Sequence, residues 1–196
     1  MSQAVGSLVT MSLATGTGMT AEEFLARDDW PRGTQLIEGE VVVNQPGLPH
    51  QLALGRLFAR LLAWADARPG RGLVCLSVDV RVTERNVYGP DVWWVSEPRR
   101  PDRSQLTLEG VPDLVVEVRS PSTWRYDVGV KRVRYEEAGV AELWLVDGSA
   151  RSVLVYRRSS ASSPSFDVAL ELEAGERLMS PLLEGFSLDV GDIFDA

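Results

Sequence analysis

The stretch from Asp113 to Arg119 constrains this chain more than any other. Its centre, Leu114-Val115-Val116-Glu117-Val118, has the length and apolar, β-branched character of a buried strand, yet a carboxylate stands inside it. An ionised carboxylate left alone in such a place is costly, so Glu117 must be protonated, paired or bound to a cation. An arginine such as Arg119 or Arg81 would pair it. A cation shared with Asp91 would also satisfy it, because Asp91 begins the preceding strand and consecutive strands are often neighbours in a sheet. Two carboxylates on adjacent strands, opening at one edge, make a hard-oxygen site suited to Mg²⁺ or Mn²⁺. Residue content alone leaves both solutions open.

The surrounding segments read as follows. Thr20-Ala-Glu-Glu23 has capping-box spacing and predicts a short helix running out near Asp28 and Asp29. Thr34 to Glu38 and Glu40 to Asn44 read as a hairpin turning at Gly39. Leu54, Leu57, Phe58, Leu61, Leu62 and Ala65 recur at three and four, the pattern of an amphipathic helix. After Pro69-Gly70 the period changes to two, and Leu76 to Thr83 reads as one strand, followed by Asp91 to Val95 and Asp113 to Arg119. Ser96 to Pro112 reads as a loop. Ser120-Pro-Ser-Thr123 is expected to cap a helix that reaches Ala138 and stops at Gly139. Glu142 to Asp147, Ser152 to Arg157, Phe166 to Leu172 and Phe186 to Val190 are the later strands. This is an α/β pattern, expected as a single domain over 19–196 behind a flexible leader over 1–18, with Met19 as a second candidate start.

Composition narrows the function classes. The chain has 196 residues, and 28 acids against 20 bases give a net charge of −8, so only a local basic groove could serve a polyanion. One cysteine, Cys75, and one histidine, His50, exclude a disulfide framework and a zinc site built of Cys and His. No stretch is long and apolar enough to span a membrane, and a cytoplasmic location is the expectation. A phosphate-cradling glycine loop, a Cys-x-x-Cys pair and a serine nucleophile elbow are all missing. His50, following Pro49 at a helix start, reads first as a cap or surface residue and second as catalytic. Of the 20 basic residues 19 are arginine; the exception, Lys131, lies on the helix after the Glu117 strand. A single lysine in such a chain suggests a need for a compact ammonium. Asp127, Lys131 and Tyr135 are four apart and share one stripe of that helix. The plainer account of the spacing is an exposed Asp127–Lys131 ion pair.

Taken together, Gln35-Leu-Ile-Glu-Gly-Glu40, His50, Pro90-Asp91-Val92 and Pro112-Asp-Leu-Val-Val-Glu-Val-Arg-Ser-Pro-Ser-Thr123 resemble the Uma-two family of candidate restriction endonucleases. The continuation Asp127-x3-Lys131-x3-Tyr135, Gly139-Val140 and Glu142-x-Trp144-Leu-Val-Asp147 extends the likeness over roughly Thr20 to Val190. That family belongs to the PD-(D/E)xK nuclease-like superfamily. The resemblance implies a restriction endonuclease-like core of helix, three strands, helix and strand, with an N-terminal hairpin and extra C-terminal strands. It makes Asp91 and Glu117 the metal-binding acids, Lys131 the catalytic lysine displaced onto the following helix, and His50, Asp127 and Tyr135 supporting residues. Gln35 stands where the family usually has an acid. Glu38 could replace it only by reaching the same space, and a hairpin puts 35 and 38 on opposite faces.

The function implied is a Mg²⁺- or Mn²⁺-dependent endonuclease hydrolysing DNA phosphodiesters, with the DNA held at a local site and a possible homodimer. Arg99, Arg100 and Arg103, and Arg125, Arg132 and Arg134, are the candidate phosphate contacts, although both clusters read first as solvated faces, with the acids Glu136 and Glu137 close by. The alternative is a catalytically silent nuclease-like domain serving as a dimeric interaction module, for which Gln35, the negative charge and the aromatics Trp93, Trp94 and Trp144 speak.

Overall fold

The computed structural model describes residues 18–195. The leader expected over 1–18 therefore falls, apart from Gly18, outside the described residues. Helix α1 (Ala21–Leu25) starts on the expected capping box, with Thr20 Oγ1 accepting from the Glu23 N–H and the Glu23 carboxylate accepting from the Thr20 N–H. Strands β1 (Thr34–Ile37) and β2 (Glu40–Val43) form the hairpin, turned by Glu38 and Gly39 at φ of 52° and 81°. Helix α2 (Leu48–Asp66) buries Ala53, Leu54, Leu57, Leu61 and Trp64 along one stripe.

Then come β3 (Leu73–Leu76), β4 (Val80–Thr83), β5 (Asn86–Tyr88), β6 (Val92–Val95), β7 (Leu108–Glu109) and β8 (Leu114–Val118). Helices α3 (Trp124–Tyr126) and α4 (Arg132–Glu137) lead into β9 (Glu142–Asp147), β10 (Ser152–Arg157), β11 (Val168–Glu173), β12 (Arg177–Leu178), β13 (Leu188–Asp189) and α5 (Gly191–Phe194). A six-stranded sheet runs β11-β10-β9-β8-β6-β3, and a five-stranded sheet runs β2-β1-β5-β4-β7. The core order expected from the sequence is present as α2, then β3, β6 and β8, then the α3–α4 segment, then β9. Strands β8 and β9 pair in parallel, with the α3–α4 segment as their crossover.

Strand β8 is buried on both faces, which is why it shows no alternation. Leu114, Val116 and Val118 share a core with Leu57, Leu61 and Trp64 of α2. Val115 turns the other way, into a second core with Ile37, Tyr88, Tyr135, Leu143 and Leu145. Glu117, two residues on, points to that second side.

Several expectations are corrected. The alternating run from Leu76 to Thr83 is two strands in different sheets: the chain turns at Ser77 (φ 29°) and crosses from one sheet to the other. The loop from Ser96 to Pro112 contains a short 3-10 turn, Glu97–Arg99, and β7. The helix after Thr123 is broken over Asp127–Lys131, where Gly129 leaves helical dihedrals (φ −102°, ψ −109°). Thr123 itself makes no side-chain cap; within the expected capping segment the Ser120 hydroxyl accepts from the Thr123 N–H at 3.3 Å and donates to Asn44 Oδ1 at 2.8 Å, tying the turn to the hairpin. Trp93, Trp94 and Trp144 are 2%, 5% and 0% exposed, so they are core residues and offer a partner nothing. Among the described residues no helix is long and apolar enough to cross a membrane.

Candidate functional site

Strand β6 pairs antiparallel with β8 in the register Val92↔Val116 and Trp93↔Val115. One further step sets Asp91, the residue before β6, against Glu117. Glu117 shares its parity with Val115 and lies on the sheet face turned away from α2, whereas Asp91, just outside β6, sits at the strand end within reach of α2. Asp91 Oδ2 accepts from the Val118 N–H at 2.7 Å and lies 3.1 Å from His50 Nε2. A carboxylate oxygen only accepts, so Nε2 carries the hydrogen of that contact. Glu117 Oε1 accepts from the Tyr135 hydroxyl at 2.7 Å and lies 2.6 Å from Lys131 Nζ. The other two oxygens, Asp91 Oδ1 and Glu117 Oε2, take no hydrogen bond from the described residues. Neither is sealed, for the only buried side-chain N or O atoms without a partner there are His50 Nδ1 and Trp93 Nε1.

The broken helix brings its stripe onto Glu117. Asp127, Lys131 and Tyr135 are 3%, 1% and 0% exposed, and Lys131 Nζ reaches Asp127 Oδ1 at 2.9 Å as well as Glu117. The Lys131 ammonium also stands 5.3 Å from the centre of the Tyr88 ring, which meets Tyr135 edge-on. An exposed Asp127–Lys131 pair is therefore excluded. So is arginine as the partner of Glu117: Arg119 bonds Asp147 at 2.7 Å, and Arg81 makes no bond to Glu117.

Charge in this cluster is unbalanced: Asp91, Glu117 and Asp127 face one ammonium. Burial pushes Glu117 up to about 8 against the pull of Lys131, with the charges of Asp127 and Asp91 adding to the rise. Burial likewise raises Asp127 against Lys131. Burial alone would lower Lys131, but the carboxylates of Asp127 and Glu117 outweigh it and hold the ammonium above its ordinary value. Tyr135 is raised well above the usual phenol range by burial and by Glu117, so it donates rather than ionises.

The remaining candidates divide. Gln35 is buried on β1 and its Oε1 accepts from the Gly89 N–H at 3.4 Å, two residues before Asp91. Glu38 does not join the site: it makes a two-pronged pair with Arg134, both bonds at 2.7 Å. His50 is neither cap nor surface, since Gly47 is the N-cap of α2 and His50 is 5% exposed. The basic clusters are largely occupied: Arg99 pairs with Asp113, Arg100 with Glu97, and Arg134 with Glu38 and Glu137. Arg125 and Arg132 lie over the rings of Tyr126 and Tyr156. Tyr88 was not expected at the site; its nearness in sequence to Pro90-Asp91 was the available signal.

No group of three or more His, Cys, Asp or Glu side chains converges as a metal-binding set among the described residues. The available donors are two carboxylates, each with one oxygen held and one open. That suits Mg²⁺ or Mn²⁺, which keep several waters and take one or two protein carboxylates, better than an ion caged wholly by side chains.

The sequence matches the model of the Uma2 family, described as "Putative restriction endonuclease", over residues 21–191. The chain belongs to this family. A crystal structure described as "a putative nuclease belonging to DUF820", from Anabaena variabilis, superposes with a TM-score of 0.77 at 18% identity, covering 90% of this chain and 97% of the other. At that identity the likeness speaks for the fold alone, and the fold is nuclease-like. A search of curated proteins gave no match.

Proposed function

We propose that this Uma2 protein is a PD-(D/E)xK-type endonuclease that hydrolyses DNA phosphodiesters with a divalent cation, Mg²⁺ or Mn²⁺, held by Asp91 and Glu117. The observation that carries the reading is the half-satisfied state of these two carboxylates at neighbouring positions of β6 and β8, each held through one oxygen and without a protein donor on the other. A cation bound there supplies a Lewis acid for the phosphoryl oxygen and lowers the pKa of its water. The residues do the rest. Lys131 and Tyr135 both hold Glu117 Oε1, which leaves Oε2 as the oxygen without a protein donor. Lys131 offsets part of the carboxylate charge. At 1% exposure it acts on the nucleophile through Glu117 rather than by reaching a phosphate itself. Asp127 holds the other side of the ammonium.

Nicking of supercoiled plasmid and of single-stranded DNA in Mg²⁺ or Mn²⁺ tests the reading. Cleavage by the wild type that falls by at least about 100-fold in Asp91→Asn and Glu117→Gln supports it. Gln35 favours a second reading, a catalytically silent module, because it offers a neutral amide and not a third acid beside Gly89. Neither cleavage nor Mn²⁺ binding by the wild type at millimolar metal would select that alternative.

A further inference from the structure

We propose that His50 is a positioning residue that holds Asp91 with its Oδ1 free for a cation, an inference that rests on the cation site proposed above. Asp91 Oδ2 takes two donors from two different elements, the Val118 N–H of β8 and the His50 ring of α2. Two donors on one oxygen, arriving from separate elements, stop the carboxylate from rotating and leave Oδ1 as its single open oxygen. A ring that fixes an acid without itself touching the ion is an outer-shell partner, and such partners set ligand orientation and affinity.

The second observation is the other ring nitrogen. His50 Nδ1 is sealed from solvent and has no partner among the described residues. It therefore cannot bind the cation, and it makes the position worse for packing than leucine or phenylalanine would be, since an unpaired polar atom is buried with it. His50 does not cap α2, a task that falls to Gly47. What the imidazole supplies that an apolar side chain would not is the Nε2 hydrogen bond to Asp91.

The test measures Mn²⁺ binding to the full chain by electron paramagnetic resonance, with melting of each metal-free variant alongside. His50→Phe is expected to bind Mn²⁺ roughly 10–100-fold more weakly than wild type, with a metal-free melting temperature equal or higher. His50→Gln, whose amide N–H can stand in for the ring Nε2–H, is expected within about threefold of wild type. His50→Asn, too short to reach, should behave as His50→Phe and serves if the larger ring does not fold. Equal Mn²⁺ affinity in wild type and His50→Phe overturns the positioning role. Weakened binding in all three variants, tracking lost melting temperature, overturns it in favour of a packing role. A wild type that binds no Mn²⁺ at millimolar concentration overturns the cation site itself, and the inference with it.

Discussion

Glu117 carries the clearest consequences at the scale of single residues. Lys131 and Tyr135 both address Oε1, so a proton held by this carboxylate sits on Oε2, the oxygen a cation would use. With its value raised from 4.5 to about 8, Mn²⁺ affinity is expected to climb roughly tenfold per pH unit below about 8 and level off above it. The same shift sets a sign for stability. A raised carboxylate favours the folded state fully below about 4.5, and that contribution is lost as pH rises through about 8. Glu117→Gln should remove this loss, so thermal melts of the metal-free variant should vary less over that window than those of wild type; parallel curves would contradict the shift. Lys131→Met leaves Asp127 without its partner and Glu117 with Tyr135 alone. It is expected to destabilise by ~3–5 kcal/mol in urea melts at pH 8 and by clearly less at pH 5, where the raised acids hold protons.

At the scale of elements, backbone approach decides what a substitution costs. Gly72 has φ of 82°, and a Cβ there would lie 2.0 Å from the Val95 carbonyl oxygen, across the β3–β6 edge. Gly139 also has a positive φ, 93°, but nothing lies within 4 Å of its would-be Cβ. Gly72→Ala is therefore expected to cost well over ~2 kcal/mol and Gly139→Ala about 1 kcal/mol, read from urea midpoints. Similar losses at the two positions would mean that the close approach at Gly72 is absent. Legibility follows the same division. The hairpin, α2, β8 and β9 could be read because each carries its own period or turn residue. The break at Ser77 could not, since side chains keep alternating while the chain changes sheets. Nor could the break at Gly129: residues four apart share a stripe in a straight helix as well as in this bent one. Arginine bias singled out Lys131, yet its burial against Glu117 depends on packing between elements. The cap or surface reading of His50 fails because its partner, Asp91, lies 41 positions away and no local pattern announces it.

Charge governs the molecule as a whole. A net −8, with Arg99, Arg100 and Arg134 engaged by neighbouring acids, leaves little to hold a polyanion without help. Association with duplex DNA, followed by fluorescence anisotropy at ~100 mM salt, is expected to be at least about tenfold tighter with Ca²⁺, another oxygen-seeking cation, than with chelator. Equal affinity in both conditions would place the DNA contact elsewhere. The central claim is that Asp91 and Glu117 share one cation through the oxygens their neighbours leave open. The most direct measurement is the anomalous difference density of crystals soaked in Mn²⁺. A single ion between Asp91 Oδ1 and Glu117 Oε2, with both oxygens at about 2.0–2.2 Å and water completing its shell, is the expected result. Density at neither carboxylate in millimolar Mn²⁺, or an ion held by one of them alone, would contradict the account.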